Sequence, residues 1–325
     1  MSDFVRAADA REVPVLDLAP LNAGQSLDAL AAELDRACRD IGFFYIRNHG
    51  IPEHVLDGAF AASRRYFTIP IADRRAHVPD GRFKRGFLPY EDRARGVFLK
   101  NTYEIGLDLP LDDPAILAGL PMHAPNWWPP ELPWFREAAE AYYDAGLALG
   151  KRLLRLLAIA LDLDPNFFLR FLSKPVVNMP LFHYPPQPAS EAAALGTHEH
   201  TDFGMLTILA QDPIGGLEVR KRDGEWVGAP YIPGTLVVNI GDLIQRWTND
   251  VYVSTPHRVA NRSGRDRYSI PMFINLDYDT PVECIPTCCS PDRPPRHAPT
   301  TSGDYLVGRF QAFGIYSEDS AVTTG

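Results

Sequence analysis

The chain has 325 residues, enough for one large core, and its 46% hydrophobic and 22% charged content is that of an ordinary globular protein. Lysine and arginine number 32 against 41 acidic residues, and the net charge of −9 argues against a nucleic-acid or membrane-surface binder. The four cysteines, Cys38, Cys284, Cys288 and Cys289, form no CxxC repeat, so neither a zinc cage nor a disulfide framework is expected and a reducing cytoplasm fits.

Met1-Ser2-Asp3-Phe4-Val5-Arg6 has none of the apolar character of a secretory leader. No run approaches the roughly 18 apolar residues of a membrane span. Val13 to Leu18 reads as a short edge strand, where a proline is tolerated. Ser26 is the expected N-cap of a helix carrying Leu27, Leu30, Ala31, Leu34 and Cys38 at helical spacing and stopped by Gly42. Phe43 to Gly50 reads as a strand ending in a turn. Ile51-Pro52 opens a second helix, with Val55, Leu56, Ala59, Phe60 and Phe67 on one side, that closes before Pro70. Residues 78–131 are rich in glycine, proline and aromatics and read as irregular loops and short strands covering a site. The longest helix is expected over 132–163, with Pro133 in its first turn. Pro165 would begin a short helix to about Leu172.

From Val176 the pattern changes. Strand-like runs at Val176–Tyr184, Leu206–Ala210, Leu217–Arg220, Leu236–Ile240, Val251–Ser254, Arg258–Ala260 and Tyr268–Leu276 alternate with turn residues. Short strands at this spacing predict a closed or double-sheet β structure. Asp223-Gly224 between two apolar runs is a hairpin signal. A last helix is expected over 303–313. No linker-like stretch separates the helical first half from the β-rich second half, so one compact unit is expected.

The chemistry concentrates at His198 to Ala210. In an extended strand, residues two apart share a face, so His200 and Asp202 would project side by side at the mouth of an apolar barrel. A divalent metal would neutralise them. His257, 55 residues after Asp202, suits a third ligand from a distant strand. Two histidines and one carboxylate hold non-haem Fe(II) on one face and leave the other open. Arg267 and Ser269 again share a face, ten residues after His257. A guanidinium beside a hydroxyl is a carboxylate receptor. 2-Oxoglutarate has the matching shape, a keto-acid head for iron and a carboxylate tail a short chain away. Zinc also accepts two histidines and a carboxylate, so a zinc hydrolase stays open here, as does a non-catalytic β-barrel module.

At these residues the sequence resembles the Fe(II)/2-oxoglutarate-dependent dioxygenases, in the branch similar to isopenicillin N synthase. Val13 to Leu18 and Gly42 to Pro52 match the N-terminal part of that family. His200 to Leu209, Gly215-Gly216-Leu217, Val238 to Asp242, Trp247-Thr248-Asn249, Ser254 to Val259 and Arg267 to Phe273 match its core. The resemblance implies an α+β fold, a double-stranded β-helix (jelly-roll) core flanked by helices. Residues 1–175 would be a mixed α/β region packed on a β-core of 176–325 with a C-terminal helix. It implies Fe(II) on His200, Asp202 and His257, and the far carboxylate of 2-oxoglutarate on Arg267 and Ser269. Tyr184 takes the place of a family tyrosine that hydrogen-bonds the co-substrate. With O2, such an enzyme hydroxylates, desaturates or cyclises a small-molecule substrate while 2-oxoglutarate becomes succinate and CO2. The oligomeric state is not implied. One departure is Phe182, where many relatives carry asparagine. An alternative is a 2-oxoglutarate-independent Fe(II) oxidase of the isopenicillin N synthase type, which keeps the same Arg-x-Ser pair.

Plainer roles are expected elsewhere. His198 would be a loop residue near the site, and His49 and His183 hydrogen-bonded structural groups. Asp242 reads equally as a turn-capping carboxylate or a neighbour of the site. Phe87, Tyr90, Tyr103, Trp127 and Trp128 are either pocket lining or packing.

Overall fold

The computed structural model describes residues 5–9, 11–78, 84–92, 97–186 and 195–313. The strands before residue 185 are β1 (Val15–Asp17), β2 (Phe43–Arg47), β3 (Gly86–Asp92), β4 (Val97–Glu104), β5 (Pro175–Asn178) and β6 (Leu181–Tyr184). They are followed by β7 (Thr197–His200), β8 (Leu206–Gln211), β9 (Leu217–Arg220), β10 (Trp226–Ala229), β11 (Thr235–Ile240), β12 (His257–Val259) and β13 (Arg267–Asp277). A nine-stranded sheet runs β1-β2-β11-β8-β13-β6-β4-β3, with β5 also on β13, and a four-stranded sheet runs β10-β9-β12-β7. Together they make the double-stranded β-helix.

Alternation along the strands divides the core in two. Phe43 and Tyr45 of β2 and Val237 of β11 join Leu217, Val219, Val227 and Val259 between the sheets. Their neighbours Phe44, Ile46, Val238 and Ile240 face the helices instead. Strand β13 does the same: Ile270, Met272 and Ile274 meet the helices, whereas Arg267, Ser269, Pro271 and Phe273 line the cavity between the sheets. The helices on the outer face are Asp28–Asp40, Glu53–Phe67 and Pro133–Ala160. The longest of them crosses the sheet on two glycines one turn apart. A Cβ at Gly146 would lie 2.7 Å from Met272 Cε, and one at Gly150 would lie 2.0 Å from Ile274 Cδ1.

Several elements differ from the sequence expectation. Ser26 is one residue too early for an N-cap, since Leu27 holds that position and Ser26 Oγ accepts the Asp28 N–H. The 78–131 region holds a long hairpin, β3–β4, that extends the large sheet. Its Gly86 and Pro89 looked like loop punctuation, but β3 is an edge strand, where proline costs no ladder bond. Val176–Tyr184 is two strands broken at Met179-Pro180, with Met179 N–H bonded to Ile105 O. Pro165–Leu172 forms only a 3-10 turn, Leu169–Phe171.

Val251–Ser254 is not a strand. Asn249 and Asp250 adopt left-handed φ of 55° and 60° after an unforeseen helix, Asp242–Trp247, and Tyr252 is buried with its hydroxyl on Asp35. The Asp223-Gly224 hairpin joins β9 to β10, and the last helix spans Ser302–Ala312. The four cysteines form no disulfide. No described helix is long and apolar enough to cross a membrane.

Candidate metal and co-substrate site

Strand β7 ends at His200, and Asp202 lies in the loop before β8 rather than in the strand. The side chains nevertheless converge, because the loop is pinned from beneath. Asp242 N–H donates to Asp202 O and Leu243 N–H to Gly204 O, so the loop sits on the first turn of the Asp242–Trp247 helix. Only glycine fits at 204, where a Cβ would fall 1.9 Å from Asn275 Oδ1. Asp242, uncertain from sequence, accepts from Thr201 Oγ1 and pairs with Arg309 at 2.9 Å, tying the C-terminal helix to the loop.

His257 opens β12 and stands opposite His200 of β7 in the ladder. Their ring centroids are 4.2 Å apart, and each Nε2 approaches Asp202 Oδ1, at 3.7 Å from His200 and 3.6 Å from His257. One ligand atom from each of the three lies within 4.8 Å of the others, the one such cluster among the described residues. The second carboxylate oxygen, Asp202 Oδ2, accepts from Thr207 Oγ1 at 2.6 Å and Asn239 Nδ2 at 2.7 Å.

Both imidazoles are oriented by backbone. His200 Nδ1–H donates to His198 O at 2.8 Å, and His257 Nδ1–H donates to Thr255 O at 3.1 Å. A carbonyl can only accept, so each ring carries a proton on Nδ1 and turns Nε2, the atom that could ligate a metal, toward the centre. Burial, then the neighbouring His257, pushes the His200 imidazole down to about 4. Burial also pushes the Asp202 carboxyl up, but the two imidazoles and the Thr207 and Asn239 donors outweigh it and hold the group below its usual range. Two imidazoles and one carboxylate converging on one point fit a divalent ion.

The two residues expected to receive an anion line the same cavity. Arg267 is wholly buried. Its Nε donates to Gly215 O, and Nη1 donates to Ser269 Oγ at 3.1 Å. Its Nη2 is buried with no hydrogen-bond partner among the described residues. Such a donor is costly unless something else satisfies it, and a carboxylate does. Tyr184 lies beneath the guanidinium, 4.7 Å from ring centre to Cζ, with its hydroxyl 3.2 Å from Thr197 Oγ1.

All six residues singled out in the sequence, Tyr184, His200, Asp202, His257, Arg267 and Ser269, line one cavity of about 620 Å³. Phe182 lines it too, with Lys100 Nζ 4.4 Å above its ring. Leu306, Phe310 and Phe313 bring the C-terminal helix to the rim. His198 is exposed and contributes its carbonyl. His49 Nδ1 accepts from Ile51 N–H, and His183 is bonded to Asp266 and stacked on Phe67 and Tyr268. Phe87 and Tyr103 are fully buried packing groups, and Trp127 and Trp128 pack on the same core. The Tyr90 side chain lies outside the described residues. Sequence reasoning assigned no role to Thr207 or Asn239. A polar residue inside the apolar run Leu236–Ile240 was the signal for the second.

Known proteins resemble this chain along most of its length. Residues 169–276 match the 2OG-Fe(II) oxygenase superfamily model, and residues 13–131 match the model for the N-terminal part of the non-haem dioxygenase in morphine synthesis. The 2-oxoglutarate-Fe(II) type oxidoreductase hxnY of Emericella nidulans is 35% identical over 93% of this chain and 90% of its own. The 2-oxoglutarate-dependent dioxygenase citB of Monascus ruber is 38% identical over 82% of this chain and 86% of its own. A full-length Neurospora crassa protein, solved in complex with alpha-KG and thymine, is 28% identical with a TM-score of 0.83, covering 95% of this chain and 99% of that one. The protein is an oxidoreductase whose cofactor is Fe(II) and whose co-substrates are 2-oxoglutarate and O2. On relatives of this identity aligned along nearly its full length, the chain belongs to the 2-oxoglutarate- and Fe(II)-dependent oxygenase superfamily.

Proposed function

We propose that His200, Asp202 and His257 hold the ferrous ion and that Arg267, Ser269 and Tyr184 hold 2-oxoglutarate, in an oxygenase that hydroxylates, desaturates or cyclises a small organic molecule. The observation that carries this is the lining of one cavity by all six, with a buried Arg267 donor left over for an anion. When bound, iron and 2-oxoglutarate supply O2 activation coupled to decarboxylation to succinate and CO2. The chain's own residues do the positioning. The two Nδ1–H bonds fix the rings, while Thr207 and Asn239 hold one carboxylate oxygen and leave the other toward the imidazoles.

Arg267 would hold the far carboxylate through Nη2. Ser269 Oγ already accepts from Arg267, so its own O–H is free to donate to the same anion. The oxidase keeps the same Arg-x-Ser pair, so what supports the 2-oxoglutarate reading over it is the likeness to relatives named as 2-oxoglutarate-dependent. Phe43, Leu209, Leu217 and Val259 give the cavity an apolar flank, which would limit water around a strong oxidant. We read residues 1–175 as a mixed region packed on a catalytic core of 176–325. The strands that β2 and β4 contribute to the large sheet support the two working as one unit.

Titration of metal and co-substrate into single variants tests the assignment. Arg267→Ala is expected to keep Fe(II) and lose on the order of 100-fold in 2-oxoglutarate affinity, because a buried anion loses its charged partner. His200→Ala and Asp202→Ala are expected to lose the metal and keep the fold. Unchanged co-substrate affinity in Arg267→Ala would refute its role.

A further inference from the structure

A second polar patch lines the same cavity on strands that the metal and anion assignments do not use. Lys100, Thr102 and Glu104 lie two apart on β4 and all face the cavity. Strand β4 pairs with β6 through Thr102 and Phe182, and the same antiparallel register continues to a bridge between Gly106 and Asn178. Glu104 and Asn178 are therefore diagonal neighbours across adjoining chains, and both line the cavity.

Asn178 Oδ1 is buried and has no hydrogen-bond partner among the described residues. The Glu104 carboxyl carries no hydrogen bond to them either. Arg85 completes the patch by lying across Gly106, where a Cβ would fall 2.2 Å from its Nη2. Its Nη1 and Nη2 donate to the carbonyls of Lys84 and Met122, and its buried Nε has no acceptor among the described residues.

Two acceptors without donors and one donor without an acceptor thus meet on one wall. Asn178 Oδ1 and Arg85 Nε are buried, and a buried polar atom left unpaired is costly, so the wall is built for a partner. Burial pushes the Glu104 carboxyl up to about 7 against the pull of Arg85 and Lys100, so a donor arriving there relieves a desolvation cost. A purely apolar guest would leave all three atoms unpaired.

We propose that this wall recognises the primary substrate and that the substrate presents an N–H beside a C=O, the edge of a lactam, imide or amide. Its N–H donates to Asn178 Oδ1 and the Glu104 carboxyl, and its carbonyl accepts from Arg85 Nε. The proposal rests on the cavity being the oxygenase site described above, and it adds what that site admits.

Calorimetry on the full chain, loaded anaerobically with Fe(II) and 2-oxoglutarate, tests it with 2-pyridone and N-methyl-2-pyridone. The two share a ring and a carbonyl and differ in the N–H. The expected result is a preference of about tenfold or more for 2-pyridone, the discrimination that unpaired buried acceptors impose. Asn178→Leu and Glu104→Leu should bring the two probes to near equality, while Glu104→Gln, which keeps an acceptor, should preserve the preference. Equal binding of the probes, or binding of neither by wild-type protein that takes up 2-oxoglutarate, overturns the proposal. Wild-type protein that takes up no 2-oxoglutarate would instead overturn the assignments of the preceding section.

Discussion

Glu104 sits in an environment at odds with its charge. Its carboxyl is raised from 4.5 to about 7, mainly by burial. A carboxyl raised in the folded state stabilises the fold fully below its unfolded value, and that stability is lost as pH climbs through about 7. Glu104→Gln removes the dependence. In thermal melts of the metal-free protein, the variant should gain more over wild type at pH 8 than at pH 5, values chosen to bracket roughly the titration. Equal gains at both would mean that the carboxyl titrates normally. At this scale the sequence revealed what spacing encodes. The interval from Arg267 to Ser269 along β13 places both side chains in one cavity, whereas His200 and Asp202 meet there because a pinned loop brings the carboxylate round. Asn239 escaped because it reaches Asp202 from another strand, Thr207 because a loop turns it back onto Asp202, and Glu104 and Asn178 because only the register between strands sets them side by side.

Elements were legible where one local signal dominated. Gly42 ends a helix, Pro133 starts one, and Asp223-Gly224 turns a hairpin. They were not legible where tertiary position overrides composition. The β3–β4 hairpin tolerates Gly86 and Pro89 because it forms the sheet edge. The Asp242–Trp247 helix is too short to show a period. The long helix adds a case in which propensity gives the wrong sign. Alanine for glycine inside a helix gains about 1 kcal/mol, but overpacking a core costs about 1–3 kcal/mol. At Gly150 the new methyl meets the branched Ile274, and at Gly146 the flexible end of Met272. Urea denaturation should find Gly150→Ala destabilised by about 1–2 kcal/mol and Gly146→Ala close to wild type. Stabilisation of Gly150→Ala would show that the helix and β13 can slide apart.

Across the whole molecule, the site lies where the two sheets meet. His200 and His257 belong to the four-stranded sheet, Arg267 and Ser269 to the nine-stranded one, and Asp202 to the loop between β7 and β8. Ligands bound there staple the sheets together, and saturating a site at about 100 times Kd adds about 2.7 kcal/mol of stability. Hydrogen exchange should therefore slow more in β7, β12 and residues 201–205 than in the Asp28–Asp40 helix when metal and 2-oxoglutarate are added. Uniform slowing would mean that the sheets open only with the entire fold. The backbone bonds of the two imidazoles have a wider consequence. Each ring takes its bearing from a carbonyl two residues upstream in its own segment, so nothing on the opposite hairpin is needed to aim it. Exchanging Lys100, Thr102 or Glu104 can retune which molecule enters while the seat of the ion keeps its shape. A single scaffold can then be handed from one chemistry to another by rewriting one edge of one sheet.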